Sequence, residues 1–395
     1  MHLIAQIGAV ITMNLRSLAQ RRGSSLVIII GSAGVVAVLV ALLAMSVGMS
    51  KTLQGTGRDD RAIVLRKGSV SESGSALSRA AVQIIVDAPG IRHDAEGRPL
   101  ASAEPLRLLK LFKRDDGSEV TAVLRGLGGA ARAVRPEIKI IEGRWFRPAI
   151  NELIVGKSAA AQYRGMEVGS RVATRTASWV VVGTFESNGD AHESELLADA
   201  DTVMSSDNAS TYAGVTVLLD QPGSLRNLAD SLTTNPALRV DVTREREYFS
   251  RQSKTVSRLL SVLLYVVGSI MGVGAIFGAL NTMYSAVSTR TIEIATLRAI
   301  GFGSTPIVVS VLTEAMLLAG AGGAIGACAA WLFFNGRTVS TTQGTAYAQL
   351  IFEIAVNRNL ALAGIAASIV IGLVGGLFPA IRAGRLPIAT ALRAV

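Results

Sequence analysis

The chain has 395 residues, half of them apolar and only 17% charged, which is too apolar for an ordinary soluble domain and points to a membrane protein. Its formal charge of +10 would suit a nucleic-acid binder only if it were concentrated on a polar surface. Residues 51–258 hold 29 basic and 26 acidic side chains, so the surplus flanks the apolar runs, and no basic run with interleaved aromatics is present; nucleic acid is excluded as a partner.

Residues 2–20 place Leu3, Ile4, Ile7, Val10, Ile11, Leu15 and Leu18 on one helical stripe, followed by Arg21 and Arg22. This predicts an amphipathic leader helix over 1–23 that lies in the membrane interface. Leu26 to Val47 is uncharged and long enough to span, and it predicts transmembrane helix 1 over 24–50. Although Ala44-Met45-Ser46 mimics a cleavage site, the long leader and extended apolar core read as an uncleaved anchor.

Residues 51–256 predict an α+β domain. Strands are expected at Ala62 to Arg66, Leu106 to Lys113, Glu119 to Arg125, Ala213 to Leu219 and Leu238 to Val242, with helices at Ala76 to Val86 and Leu225 to Leu232. Between them, 152-ELIVG-156, 171-RVATR-175 and 179-WVVVGTFE-186 read as strands, with a short helix at Ser158 to Arg164; a β-rich insertion over about 140–205 is the economical reading.

Two stretches of this domain mimic chemistry. Gly156-Lys157-Ser158 ends like a phosphate-binding loop, but the required upstream glycine is Asn151. The acidic patch 190-DAHESELLADAD-201 has no ligand spacing for calcium or zinc, and reads as a solvated loop. Cys328 is the single cysteine, and His2, His93 and His192 are scattered, so no metal site or resident cofactor is expected. No nucleophile elbow marks a covalent catalyst, and the chain reads as a non-catalytic subunit.

Three more spans follow: 257–288, 305–335 and 359–382. Arg290 and Arg298 lie between spans two and three, Arg16, Arg21 and Arg22 precede span one, and Arg382, Arg385 and Arg393 follow span four. The 336–358 loop carries only Arg337 and Arg358. By the positive-inside effect, both termini, the 289–304 segment and the 383–395 tail are cytoplasmic, and the 51–256 domain and the 336–358 loop lie outside. Gly268 and Gly272, Gly274 and Gly278, Gly322 and Gly326, and the series Gly364, Ser368, Gly372, Gly376 set small residues at fourth positions, which predicts close helix packing within a bundle or across a dimer. Glu314 is the one charged group within the apolar runs Leu26 to Val47, Leu259 to Val287, Ile307 to Phe334 and Leu360 to Ile381, and pairing with Arg290 or Arg298 is its expected role.

The order of one span, a large outside domain and three spans, with the blocks 290-RTIEIATLRAIGFGSTPI-307, 314-EAMLLAGAGGAIG-326 and 379-PAIRAGRLPIATALRAV-395, resembles the FtsX/MacB-type permease subunits of ABC transporters, the type VII superfamily. The blocks 15-LRSLAQRRGSS-25, 152-ELIVGKSAA-160 and 179-WVVVGTFESNG-189 are also similar to that family. No phosphate loop is present, so the chain looks like the split, DevC-like arrangement rather than a permease fused to its ATPase.

The resemblance implies a bacterial inner-membrane homodimer bound to a cytoplasmic ABC ATPase dimer that binds ATP and Mg. It also implies a periplasmic membrane-fusion adaptor and, with it, an outer-membrane channel. It carries over Arg290, Glu293, Leu297, Arg298, Ile300 and Gly301 as the positions that contact the ATPase. The same architecture also serves regulators of cell-wall hydrolases and lipoprotein-release permeases, which stand as alternatives to the export of a hydrophobic or amphipathic substrate.

Overall fold

The computed structural model describes residues 6–8, 10–13, 22–174, 176–343 and 348–387. The expected stripe positions Leu3, Ile4, Leu15 and Leu18, together with Arg16, Arg21 and Arg393, lie outside the described residues. The chain divides into two compact units: residues 1–47, 258–337 and 354–395, which hold the apolar runs, and residues 48–257 with 338–353, which are polar.

In chain order, α1 (Arg22–Thr56) leads into the polar unit, where β1 (Arg61–Arg66), β2 (Leu77–Ser78), α2 (Arg79–Val86), β3 (Ala101–Glu104), β4 (Leu106–Phe112) and β5 (Glu119–Leu127) follow. Next come α3 (Ala131–Val134), β6 (Lys139–Gly143), β7 (Glu152–Gly156), α4 (Lys157–Gln162), β8 (Arg171–Ala173), β9 (Ser178–Glu186) and β10 (Leu196–Asp199). The unit continues through α5 (Ala200–Ser206), β11 (Thr211–Tyr212), β12 (Gly214–Leu218), α6 (Ser224–Thr233) and β13 (Val240–Arg244). After it come α7 (Glu245–Thr289), α8 (Thr291–Ala299), α9 (Ser304–Phe334), the hairpin β14 (Thr338–Gln343) and β15 (Ala348–Glu353), and α10 (Arg358–Gly384).

Two large sheets dominate the polar unit, beside the two-stranded pairs β2–β11 and β14–β15. The smaller is antiparallel in the order β13-β1-β12-β3. Side chains alternate along its strands, so Ala62, Val64, Val215 and Val217 pack on Val82, Ile85, Leu228 and Leu232 of α2 and α6. The larger sheet runs β4-β5-β10-β7-β9-β6, with β8 on β9, and mixes parallel and antiparallel pairs. Both of its faces are covered: Leu153 and Val155 enter one core and Ile154 the other. That double burial is why 152-ELIVG-156 is a near-continuous apolar run rather than an alternating one.

β4 and β5 belong to this larger sheet, so it begins at Leu106 and not near residue 140 as the sequence suggested. The helix expected from Ala76 starts only at Arg79. Leu77 and Ser78 pair with β11, and the Ser78 side chain accepts from the Ala81 N–H at 3.2 Å as the N-cap. The 336–358 connection is not a plain loop either. Its hairpin joins the polar unit, where the Ile351 N–H donates to Ser194 Oγ at 3.0 Å.

In the apolar unit, α1, α7, α9 and α10 are each long and apolar enough to cross a membrane. Ile28, Met283, Val287, Ile307, Val311, Ala315 and Ala380 share one core. Glycines set the approach of these helices. A Cβ at Gly372 would lie 2.6 Å from Ala319 Cβ, one at Gly376 2.7 Å from Ala315 Cβ, and one at Gly364 2.8 Å from Val36. At Gly322 and Gly326 a Cβ would collide with the backbone of α1. A Cβ at Gly268 would meet the tip of Leu39, whereas one at Gly272, Gly274 or Gly278 would meet nothing within 4 Å among the described residues.

Candidate functional site

The 290–301 segment forms α8, a two-turn helix ended by Gly301 at φ +103°, a conformation that side chains with a Cβ rarely adopt. Its residues divide by face. Ile294 and Ala295 are buried, and Ile294 joins the bundle core, while Ile292, Glu293, Thr296, Ile300 and Gly301 are exposed.

Arg290 precedes the helix and points inward. It is 5% exposed, and its Nη1 donates to Glu314 Oε2 of α9 at 2.9 Å. Of the six positions carried over as ATPase contacts, Arg290 is therefore an internal anchor instead of a presented side chain. Leu297 and Arg298 are half-buried, and Arg298 donates to the Leu386 carbonyl rather than to Glu314.

The 190–201 patch corrects the reading as a solvated loop: Asp190, His192 and Glu193 are buried, and Glu195 nearly so. The cause lies in distant arginines. On β1, β12 and β3 the alternation that sends Ala62 and Val215 to the helices sends Arg61, Thr216 and Glu104 to the opposite face. There Arg125 grips Glu195 with Nε and Nη2 at 2.7 and 2.8 Å, and its Nη1 reaches Glu72 at 2.7 Å and Glu104 at 2.8 Å. Arg135 donates to Glu104 at 3.2 Å, to Glu245 at 3.1 Å and to Thr216 Oγ1 at 3.2 Å. Arg61 donates to Glu245 at 2.6 Å and to the Val134 carbonyl at 2.9 Å.

His192 sits between these groups, with Nε2 2.8 Å from Arg135 Nη1 and Nδ1 3.1 Å from Glu195. A guanidinium only donates, so Nε2 accepts from Arg135 and the Nδ1 proton faces Glu195. Burial and Arg135 oppose the charged ring, but Glu195 and Asp190 outweigh them and raise its pKa above the ordinary imidazole value. Burial would raise the Glu104 carboxyl, but Arg135 and Arg125 hold it down at about 2. Asp190 goes the other way, pushed up to about 6 by burial. The sequence signal for this network was a charge inside an otherwise apolar strand segment, as at Arg125.

Gly156 serves packing and not phosphate. A Cβ there would collide with the Glu193 carbonyl, and α4 behind it has six residues. Among the described residues, no group of three or more His, Cys, Asp or Glu is placed to hold a metal ion.

Residues 24–235 match the family model of the MacB-like periplasmic core domain, and residues 265–388 match that of the FtsX-like permease C-terminal. Over 132 residues the chain is 36% identical to the macrolide export ATP-binding/permease protein MacB of Nitrobacter winogradskyi. That stretch is 33% of this chain and 19% of the relative, so the chain spans under a fifth of the relative it matches. The periplasmic region of MacB from Actinobacillus actinomycetemcomitans aligns at 14% identity and a TM-score of 0.37, over 54% of this chain and 97% of that one. The extracellular domain of the ABC-type transporter YknZ from Gram-positive bacteria aligns at 14% identity and 0.35, over 46% and 99%.

Proposed function

The chain belongs to the FtsX/MacB-type permeases of ABC transporters, and from that premise we propose that it is the membrane subunit of a split export system, worked by a separate cytoplasmic ATPase dimer. The observation that carries this reading is the division of α8: Ile294 and the Arg290–Glu314 pair anchor it, while Ile292, Glu293 and Ile300 are left outward. The apolar side chains supply contact area for an ATPase groove, and Glu293 supplies a charge to orient it. The ATPase binds ATP and Mg; this chain contributes no group to hydrolysis.

Closure of the ATPases moves α8, and the Arg290–Glu314 pair delivers that motion to α9. Glycine contacts tie α9 to α1 and α10 closely enough that the helices move as rigid bodies. α7 begins at Glu245, a member of the buried charge network, and ends beside α8, so one helix belongs to both ends of the relay. The substrate is a hydrophobic or amphipathic molecule handled on the outer side of the inner membrane by a permease homodimer and passed to a periplasmic adaptor.

The experiment is ATPase turnover of the complex reconstituted in nanodiscs, with Glu293→Ala and Ile300→Ala combined. Permease-stimulated turnover is expected to fall at least tenfold, with the melting temperature of the permease unchanged. Unaltered complex assembly and turnover would remove α8 as the coupling element.

A further inference from the structure

The relay from ATPase to permease makes no use of the imidazole at the centre of the charge network. His192 is 1% exposed, and its two ring nitrogens face opposite charges: Nδ1 lies 3.1 Å from the Glu195 carboxylate and Nε2 2.8 Å from Arg135 Nη1. The Phe249 ring of α7 stands edge-on to it, with centroids 6.2 Å apart. His192 and Glu195 also line a cavity of about 1090 Å³ inside the polar unit, whose wall includes the exposed Val70, so solvent protons reach the ring.

The contact with Arg135 stands only while Nε2 is unprotonated. A guanidinium has no lone pair to offer, so a proton on Nε2 sets donor against donor and cation against cation at 2.8 Å. The carboxylates pull the other way: burial and Arg135 oppose the charged ring, but Glu195 and Asp190 outweigh them. The remaining charges around the ring are committed elsewhere. Asp190 accepts from Ser187 Oγ and from the His192 N–H, and Glu193 accepts from the Ser187 and Gly189 N–H groups. Arg125 of β5 grips Glu195, Glu104 of β3 holds the far edge of Arg135, and Arg61 of β1 holds Glu245. α4 meets this segment through Ser158 and Glu193, and the β14–β15 hairpin through Ile351 and Ser194.

Arg135 Nη1 is also the nitrogen that donates to Glu245 Oε1, on the first residue of α7, at 3.1 Å. The other edge of the guanidinium has long contacts, of 3.2 and 3.3 Å, to Glu104 and Thr216. Moving Nη1 off the ring therefore takes it off Glu245 too, which keeps Arg61 and the Arg58 N–H as partners. We propose that the His192–Arg135 contact is a proton-operated latch: a proton on Nε2 expels Arg135 Nη1, breaks its bond to Glu245 and loosens the first turn of α7 from the two sheets. Ring neutral with Arg135 bound, and ring charged with Arg135 withdrawn, are the two states that such a switch needs. The latch stands apart from the export reading, because all its groups lie in the polar unit and no ATPase takes part. Its effect on export, a slackening of the outer end of α7 in acid, rests on that reading.

The test uses the full chain in nanodiscs with Cys328→Ser and with spin labels on Thr233→Cys of α6 and Thr255→Cys of α7, both exposed positions on the cavity wall. One interlabel distance is expected at pH 8, and a second, displaced by about 2 Å, the scale of helix shifts in switching proteins, is expected to fill in toward pH 5.5. His192→Gln, whose amide oxygen accepts from Arg135 but takes no proton, is expected to keep the pH 8 distance throughout. With His2→Gln and His93→Gln, histidine nitrogen-15 NMR reads His192 alone, and its protonation midpoint is expected to coincide with that of the distance change. A ring that stays neutral down to pH 5.5, a ring that takes its proton with the distance unmoved, or a distance change that persists in His192→Gln and so belongs to Asp190 would each overturn the proposal.

Discussion

The two units bury charge in opposite ways. Among the described residues the apolar unit buries the pair Arg290 with Glu314, whose members are 24 residues apart and belong to adjoining elements. The polar unit buries a web in which Arg61, Arg125 and Arg135 share Glu72, Glu104, Glu195 and Glu245, with partners up to 184 residues apart. A local pair constrains chiefly the adjoining elements that carry it, whereas a web demands that both sheets and α7 be in register at once. Desolvation makes either arrangement a weak source of stability but an exacting one, because a carboxylate left without its arginine is a buried, uncompensated charge.

The comparison breaks most sharply at Arg135. Arg135→Met removes donors to Glu104, Glu245 and His192 together, and a loss of about 5 kcal/mol is expected, the upper end for breaking a buried charge set. Thermal denaturation of the full chain in nanodiscs should register it as a drop on the order of 10 °C. A drop of only a degree or two would mean that the web is hydrated and not structural. Arg290→Met should cost about 3 kcal/mol, and adding Glu314→Leu should restore most of that, since replacing a whole buried pair by apolar residues is often neutral. If the double variant is worse than the single one, the pair is bound into a wider network like that of the polar unit.

How far each unit can be read from sequence follows the same division. Spans are legible because each is a single apolar run, and the Arg290–Glu314 pair is legible because its members flank one short helix. Strands of the sheets are legible one by one, but the web is not, since no local pattern ties Arg61 to Glu245 or Arg125 to Glu72. The patch 190–201 misleads for this reason: its composition is that of a solvated loop, and only arginines more than 50 residues upstream draw it inside. Likewise α7 and α10 both set small residues at fourth positions, and only packing separates Gly372, where a Cβ would meet Ala319, from Gly272, where it would meet nothing within 4 Å.

Acidity sharpens the contrast next. The folded chain holds the Asp190 carboxyl at about 6, above its unfolded value of 3.8, so between those limits it binds more protons than the unfolded chain. Its contribution is present below pH 4 and is lost as pH rises through 6, by about 3 kcal/mol. Glu104 works in the opposite sense: held at about 2, it contributes stability above pH 4.5 that is lost as pH falls through 2. Melts across pH should therefore show Asp190→Asn removing the decline between pH 4 and 6 while leaving the acid limb intact. An unchanged decline would assign it to other groups.

The smallest effects concern the apolar unit alone. In Gly326→Ala the new methyl meets the Ala33 backbone of α1, which cannot swing aside as a side chain does, and overpacking of about 2 kcal/mol is expected. Gly272→Ala adds a methyl where nothing lies within 4 Å and replaces the residue with the poorest helix propensity after proline, so it should be neutral or stabilise by up to about 1 kcal/mol. Unfolding in detergent measures both, and crosslinking in nanodiscs adds a second readout for Gly272→Ala. If that variant destabilises the chain or disperses a dimer, the open glycine face of α7 is the surface on which a second copy packs, and the spacing in α7 serves association between chains while that in α10 serves the bundle.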